Sequence, residues 1–304
     1  MATQTLVEAK KHFQDDLVVG VAEDIISVNP IMGVLPFDGF TGQSVTVNHE
    51  AVLGDAAFYG VGDTITSKAA SQVTPVTFFP TKIIGDAEVD GLVQATSGSA
   101  GEDTMVTEIR SKAKNVSRQF QSGMALGDGV GNNMSSLSVL NFDAQQSLAS
   151  SALGGAALVD DLDALMDLVL AKDGEVDFIA ASPAVIRLYR SYLRGLGGET
   201  SERVTLASGK QIIGFNGTPI FRNDFLPTNL GAGTNETEVF AGCFDDGTRK
   251  IGIAGIAPEA NMGIQVQSIG ASETKDEEIT RIKWYANMAN FNRRGLAKLT
   301  GVIA

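Results

Sequence analysis

The chain is poor in the residues that most enzymes and metalloproteins depend on. Its 304 residues include one cysteine, two histidines and one tryptophan. A single cysteine excludes an intrachain disulfide framework and makes a reducing compartment the default. Cys243 lies in the apolar run of residues 239–244, so it is expected to be a buried small hydrophobe and not a nucleophile. His12 and Asp15 are three apart on a predicted helix and could share a face. A closed metal site wants about four ligands, however, and no second cluster accompanies them. His49 and Glu50 read as a surface pair. Positive charge is also scarce, with 23 Lys and Arg against 36 Asp and Glu, giving a net charge of −13. That balance disfavours tight, sequence-independent DNA binding, which relies on cations that neutralise phosphates. A surface that lies beside DNA without gripping it tolerates the balance. No apolar run approaches the length of a membrane span. The first eleven residues lack the basic-then-apolar order of a signal peptide, so the expectation is a soluble protein made in the cytoplasm.

Catalytic signatures are missing in the same way. Residues 208–211 contain Gly209 and Lys210 but neither the upstream glycine nor the following Ser or Thr of a phosphate-binding loop. The glycines of residues 127–131 follow a helix, the wrong side for a dinucleotide site. Residues 97–101 begin with Ser97 where a nucleophile elbow needs glycine. The acidic pairs Asp160–Asp161, Asp245–Asp246 and Glu277–Glu278 are adjacent, so their side chains diverge in helix or strand; solvated turns and helix starts account for them. No enzyme, metal or cofactor is implied.

The positive signal is a stretch of extended chain from Asp38 to Asp86. Residues 44–49 alternate small polar and β-branched side chains, the period of a strand. Residues 71–84 are again rich in β-formers, and Pro75 and Pro80 fit an edge. Between the two limbs lies a glycine-punctuated tip carrying Phe58 and Tyr59. Limbs of about 20 residues would reach roughly 60 Å at strand rise. An isolated ribbon of this kind is marginal in water, so a neighbouring copy is the expected support.

The remaining pattern is mixed. Residues 1–29 read as a helical arm with Leu6, Phe13, Leu17, Val21 and Ile25 on one side. Residues 87–100 run into a Ser/Gly/Thr loop. A long helix follows over Glu102 to Met124, with an apolar stripe through Met105, Ile109, Ala113, Val116, Phe120 and Met124. Arg110 and Arg118 lie on its charged face, and Glu102 and Asp103 in its first turn suit the macrodipole. Residues 127–133 form a loop. An α/β region has a helix around Leu162, a strand over residues 177–181 and a helix over residues 184–196 opened by Ser182 and Pro183. Residues 210–225 read as strand, turn, strand. From Glu238 onward strands dominate: 239–244, 250–256, 263–269 and a long one over 279–292, in which Ile282, Trp284, Ala286 and Met288 share a face.

This order of elements resembles the major capsid proteins of tailed bacteriophages, with the Hong Kong 97-type fold. The local stretches that carry the likeness are residues 217–227, the strands around Ala241 and Lys250, and the terminal segment 284–302 containing Arg293 and Arg294. The resemblance implies an α+β fold with an N-terminal arm over 1–37 and an extended β-hairpin loop over 38–86. It implies a peripheral domain with a spine helix over 87–133, an axial domain over 134–235, peripheral strands over 236–293 and a return to the axial domain over 294–304. It also implies a major capsid protein that self-assembles as hexamers and pentamers into an icosahedral virion shell, confining double-stranded DNA without binding it tightly. A portal, a separate scaffold protein and a possible decoration protein are its implied partners, with assembly in the host cytoplasm. Phe58, Tyr59, Lys68, Arg110, Arg118, Arg293 and Arg294 become subunit-interface candidates. A crosslink from Lys68 to Asn287, Asn290 or Asn292, known for some members, has no support in the sequence. The alternatives are an encapsulin-like nanocompartment shell and a monomeric α/β binding protein that uses residues 134–235.

Overall fold

The computed structural model describes residues 30–99, 104–150, 156–196, 202–206, 209–230 and 235–303. The predicted N-terminal helix with His12 and Asp15 lies outside the described residues, as do Glu102 and Asp103. Fourteen strands are described in chain order: β1 (Phe37–Phe40), β2 (Val45–Val52), β3 (Gln72–Phe78), β4 (Thr81–Asp90), β5 (Ser147–Ala149), β6 (Phe178–Ala181), β7 (Arg203–Thr205), β8 (Gln211–Phe215), β9 (Thr218–Arg222), β10 (Glu236–Gly242), β11 (Ile253–Pro258), β12 (Gln265–Ala271), β13 (Glu277–Asn290) and β14 (Leu296–Ile303). The helices are α1 (Gly91–Ser99), α2 (Thr104–Leu126), α3 (Leu137–Leu140), α4 (Ala156–Asp167) and α5 (Pro183–Gly195).

Two sheets organise these elements. The first is built on β13, the longest strand. β4 pairs antiparallel along one edge, from Ala286↔Thr81 to Glu277↔Asp90. The other edge is shared by β12 over residues 278–283 and β11 over residues 287–290, and β1 adds parallel to β11. Burial along β13 alternates through Thr280, Ile282, Trp284 and Ala286, then becomes continuous to Asn290. The strand thus passes from a sheet with one wet face into an interior covered on both. α2 lies over β4 and β13 and buries Met105, Val116, Phe120 and Met124, with Ile109 and Ala113 packed at the margin. The Phe120 ring sits 4.6 Å from Trp284, and Phe37 packs on both at 5.7 and 5.5 Å. Gly255 makes this possible, because a Cβ there would lie 2.5 Å from the Phe37 ring.

The second sheet has seven strands in the order β5-β14-β10-β6-β9-β8-β7. α4 and α5 pack on it through Leu158, Leu162, Leu165, Val185, Ile186 and Tyr189, forming a second core. The start of α5 follows its sequence: the Ser182 side chain accepts from the Val185 amide and Pro183 opens the first turn. β10 was expected with the strands of residues 236–293, but its hydrogen bonds to β14 and β6 place it here. The chain changes sheet between Gly242 and Ile253. Asp245 organises that crossing. Its carboxylate accepts from the backbone amides of Gly247, Arg249, Lys250 and Ile251 at 2.9–3.3 Å. It is buried, not the solvated turn residue expected from sequence.

Three further expectations change. Residues 91–99 are helical, not a loop. Asp161, read as part of a solvated acidic pair, is buried and accepts from the Ser150 hydroxyl at 2.7 Å. Cys243 is buried as expected, and burial, followed by the nearby Asp177 charge, pushes its thiol pKa up to about 11. Among the described residues, no helix is long and apolar enough to cross a membrane. No group of three or more His, Cys, Asp or Glu side chains among them is placed to hold a metal ion.

Candidate subunit-interaction surfaces

The extended arm is shorter and better rooted than the sequence implied. Only β2 and β3 pair, in a two-stranded ribbon from Val45↔Phe78 to Val52↔Gln72, with a bulge after Glu50. The eight residues of β2 span about 25 Å at strand rise, so the paired ribbon falls short of roughly 60 Å. Asp38 and Asp86 are not arm residues: β1 and β4 belong to the first sheet. The Asp38 carboxylate meets Arg249, while Asp86 and Arg281 pair through two bonds of 2.8 Å. The far limb breaks at Phe79–Pro80, where the Phe79 carbonyl accepts from the Asn287 side chain at 2.6 Å. Proline's missing amide ends the arm ladder there, and Thr81 starts pairing with β13.

The base of the arm packs on its own chain. Val45 and Phe78 are buried, and Val47 and Val76 pack against the first core. His49, read from sequence as a surface residue, is 8% exposed and lies 5.4 Å from the Phe142 ring. Its Nε2 has no hydrogen-bond partner among the described residues. Burial, then the Arg293 charge, lowers its pKa from the usual histidine value.

Residues 53–71 beyond the paired strands carry no regular secondary structure. Tyr59 closes this tip: its hydroxyl oxygen accepts from the amides of Thr66 and Ser67 at 3.0 and 2.7 Å, and it donates to the Ser67 hydroxyl at 2.8 Å. These contacts, the Ser67 hydroxyl first, bring the phenol pKa down to about 8. Phe58 beside it is fully exposed, with no cover from the described residues. Lys68 is exposed in the same tip.

The other interface candidates are dispersed. Arg110 is exposed on α2. Arg118, two turns on, places its guanidinium 5.6 Å from the centre of the Phe225 ring in its own chain. Arg293 pairs with Asp143 at 3.5 Å near the base of the arm, and Arg294 is exposed in the turn between β13 and β14. The asparagines set against Lys68 are largely committed elsewhere. Asn287 is buried between Phe79 and Ser135, and Asn290 is buried and donates to the Leu140 carbonyl.

No protein-family description and no curated protein matches the chain. Solved structures do. The holo-SrpI encapsulin complex of Synechococcus elongatus PCC 7942 aligns over 100% of this chain and 97% of its own, with a TM-score of 0.74 and 18% identity. The capsid of Myoviridae phage XM1 aligns over 95% and 97%, with a TM-score of 0.66 and 13% identity. The capsid of a native GTA particle aligns over 99% of both chains, with a TM-score of 0.64 and 10% identity. The chain has the Hong Kong 97-type fold.

One surface went unrecognised in the sequence. Arg187, Arg190 and Arg194 line one side of a cleft of about 800 Å³ between α5 and strands β7 to β9, joined by Arg203, Lys210 and Arg222. The signal was available as cations at three- and four-residue steps along the helix expected over residues 184–196.

Proposed function

We propose that the protein is a major capsid protein whose copies assemble into an icosahedral shell around double-stranded viral DNA. The observation that carries this reading is the arm. A rooted β-ribbon ends in a self-closed tip that holds Phe58 clear of its own chain. A bare aromatic on a preorganised support suits docking on a neighbour, because little side-chain order has to be lost on contact. The fold supports the same reading, since the chain aligns along its length with the XM1 and GTA capsids. Hexamers and pentamers of this chain would form the shell. Interlocking arms would make it avid, because every later contact is intramolecular. The five-stranded sheet with α2 is assigned to the peripheral domain and the seven-stranded sheet with α4 and α5 to the axial domain. Lys68, Arg110, Arg118, Arg293 and Arg294 are assigned to contacts between copies. The net charge of −13 suits confinement of DNA without adhesion. A portal and a decoration protein are further expected partners.

A second reading rests on one observation, the TM-score of 0.74 to an encapsulin, above those of the two capsids. Under it the shell encloses protein cargo. Particles purified from the natural source and treated with nuclease separate the two. Protected double-stranded DNA of uniform length supports the capsid, and a stoichiometric enclosed protein without DNA supports the nanocompartment. A stable monomer at high concentration would remove both.

A further inference from the structure

The cleft beside α5 is anomalous in so acidic a protein. It gathers six of the 23 Lys and Arg residues, all exposed. Only Arg222 has a carboxylate partner among the described residues, Asp224 at 2.5 Å. Arg187, Arg190, Arg194, Arg203 and Lys210 have none there. Unpaired cations this close repel one another, so a face of this kind is unfavourable until an anion covers it. The floor is apolar, formed by Ile186, Leu193 and Ile212. That combination argues against a nucleic-acid backbone, which offers phosphates but no apolar face, and among the described residues the cleft lining includes no aromatic side chain on which a base could stack.

The complement lies on the same molecule. Asp160, Asp163 and Asp167 are exposed on α4 at the same three- and four-residue steps as Arg187, Arg190 and Arg194. Each triplet spans about 10 Å at helical rise. Just beyond lie Leu170, 53% exposed, and the exposed Asp173. This edge therefore offers carboxylates with an apolar residue beside them. α4 packs on β10 and β14. α5 reaches β8, where Tyr189 meets Phe215 and its hydroxyl donates to the Gly214 carbonyl. The two helices that carry these opposite charges thus share one sheet and one hydrophobic core, and the Asp163 carboxylate also accepts from the Asn216 side chain at 2.7 Å in the turn between β8 and β9.

We infer that the acidic edge of one copy, Asp160 to Asp173, docks into the cationic cleft of a second copy. Such a contact uses different patches on the two partners, so it is head-to-tail and can propagate around a closed ring. The inference rests on the shell reading for its ring but not for its pairing.

Charge exchange in the full chain tests it, with thermal melts confirming that each variant folds. Wild-type protein, Arg190→Glu with Arg194→Glu, Asp160→Arg with Asp167→Arg, and the variant carrying all four changes are compared at low and high salt. Sedimentation and electron microscopy supply the readout. Each pair alone is expected to lower the assembled fraction at least ten-fold, and the four together to restore it. Unchanged assembly in both single-side variants, or no recovery in the combined one, overturns the contact and leaves the shell reading intact. If wild type forms only small rings whose mass follows the same loss and rescue, the shell reading fails and the contact stands. Binding of a short double-stranded DNA that is abolished by Arg190→Glu with Arg194→Glu, without rescue of assembly by exchange, would assign the cleft to nucleic acid and overturn the proposal.

Discussion

The Tyr59 hydroxyl oxygen lies 2.7 Å from the Ser67 amide nitrogen, so the tip of the arm is tied across itself eight residues on. With the Thr66 amide also donating, two backbone dipoles converge on one phenol oxygen. This is a small preorganised loop, and it leaves Phe58 beside it without cover.

The same geometry fixes a pH dependence. A phenolate is favoured by the converging donors, so Tyr59 should titrate near 8, below the ordinary phenol value of about 10. The sign follows from the depressed value. The tip bonds gain strength as pH rises from 8 to 10, and that gain is lost as pH falls back through 8. Ultraviolet difference titration should show one early phenol, absent after Tyr59→Phe. An unchanged curve would remove the convergence argument.

At the foot of the arm, His49 predicts the opposite tendency. Burial and Arg293 favour neutral imidazole in the folded state. The unfolded chain takes up its proton near the usual histidine pKa of about 6.5, and the folded state only lower. Stability of the arm base is therefore full above about 6.5 and declines below it. Hydrogen-exchange protection of residues 45–49, corrected for the intrinsic pH dependence of exchange, should fall between pH 6.5 and 5. His49→Gln should flatten that dependence.

In the first core, Phe120 and Trp284 are within ring contact and buried. Phe120→Ala removes a buried ring between helix and sheet and should cost about 3–5 kcal/mol. Denaturant unfolding of dissociated subunits measures it. A cost below about 1 kcal/mol would show that the long helix is not held by this contact.

At the crossing between sheets, Asp245→Ala strands four backbone amides. The expected loss is about 1–3 kcal/mol, with faster proteolysis at residues 245–251. Asp245→Asn keeps an acceptor and should lose less.

Much of this architecture was legible because local signals and tertiary burial agreed. The stripe through Phe120 and Met124, the Ser182–Pro183 helix start and the alternation around Trp284 each point one way in sequence and in space. The arm misled where long-range pairing decides. Residues 81–86 read as a continuation of the far limb because β-propensity is the same whether the partner is β2 or β13. His49 and Asp245 were misplaced because polarity predicts exposure: burial of His49 against Phe142 is set by residues distant in sequence, and the turn at Asp245 was legible but not the four amides that converge on its carboxylate. The cationic cleft was hidden because Arg203, Lys210 and Arg222 join the α5 arginines only after β7 to β9 fold back.

The arm's tip carries the shell assignment. Phe58→Ala with Tyr59→Ala, compared with wild type by sedimentation velocity and electron microscopy at equal concentration, tests it directly. Wild type should form closed particles of uniform size, and the double variant should sediment mainly as folded subunits or small rings. Closed, stable particles from the double variant would contradict the role of the tip, and a wild-type chain that remains monomeric would contradict the shell itself.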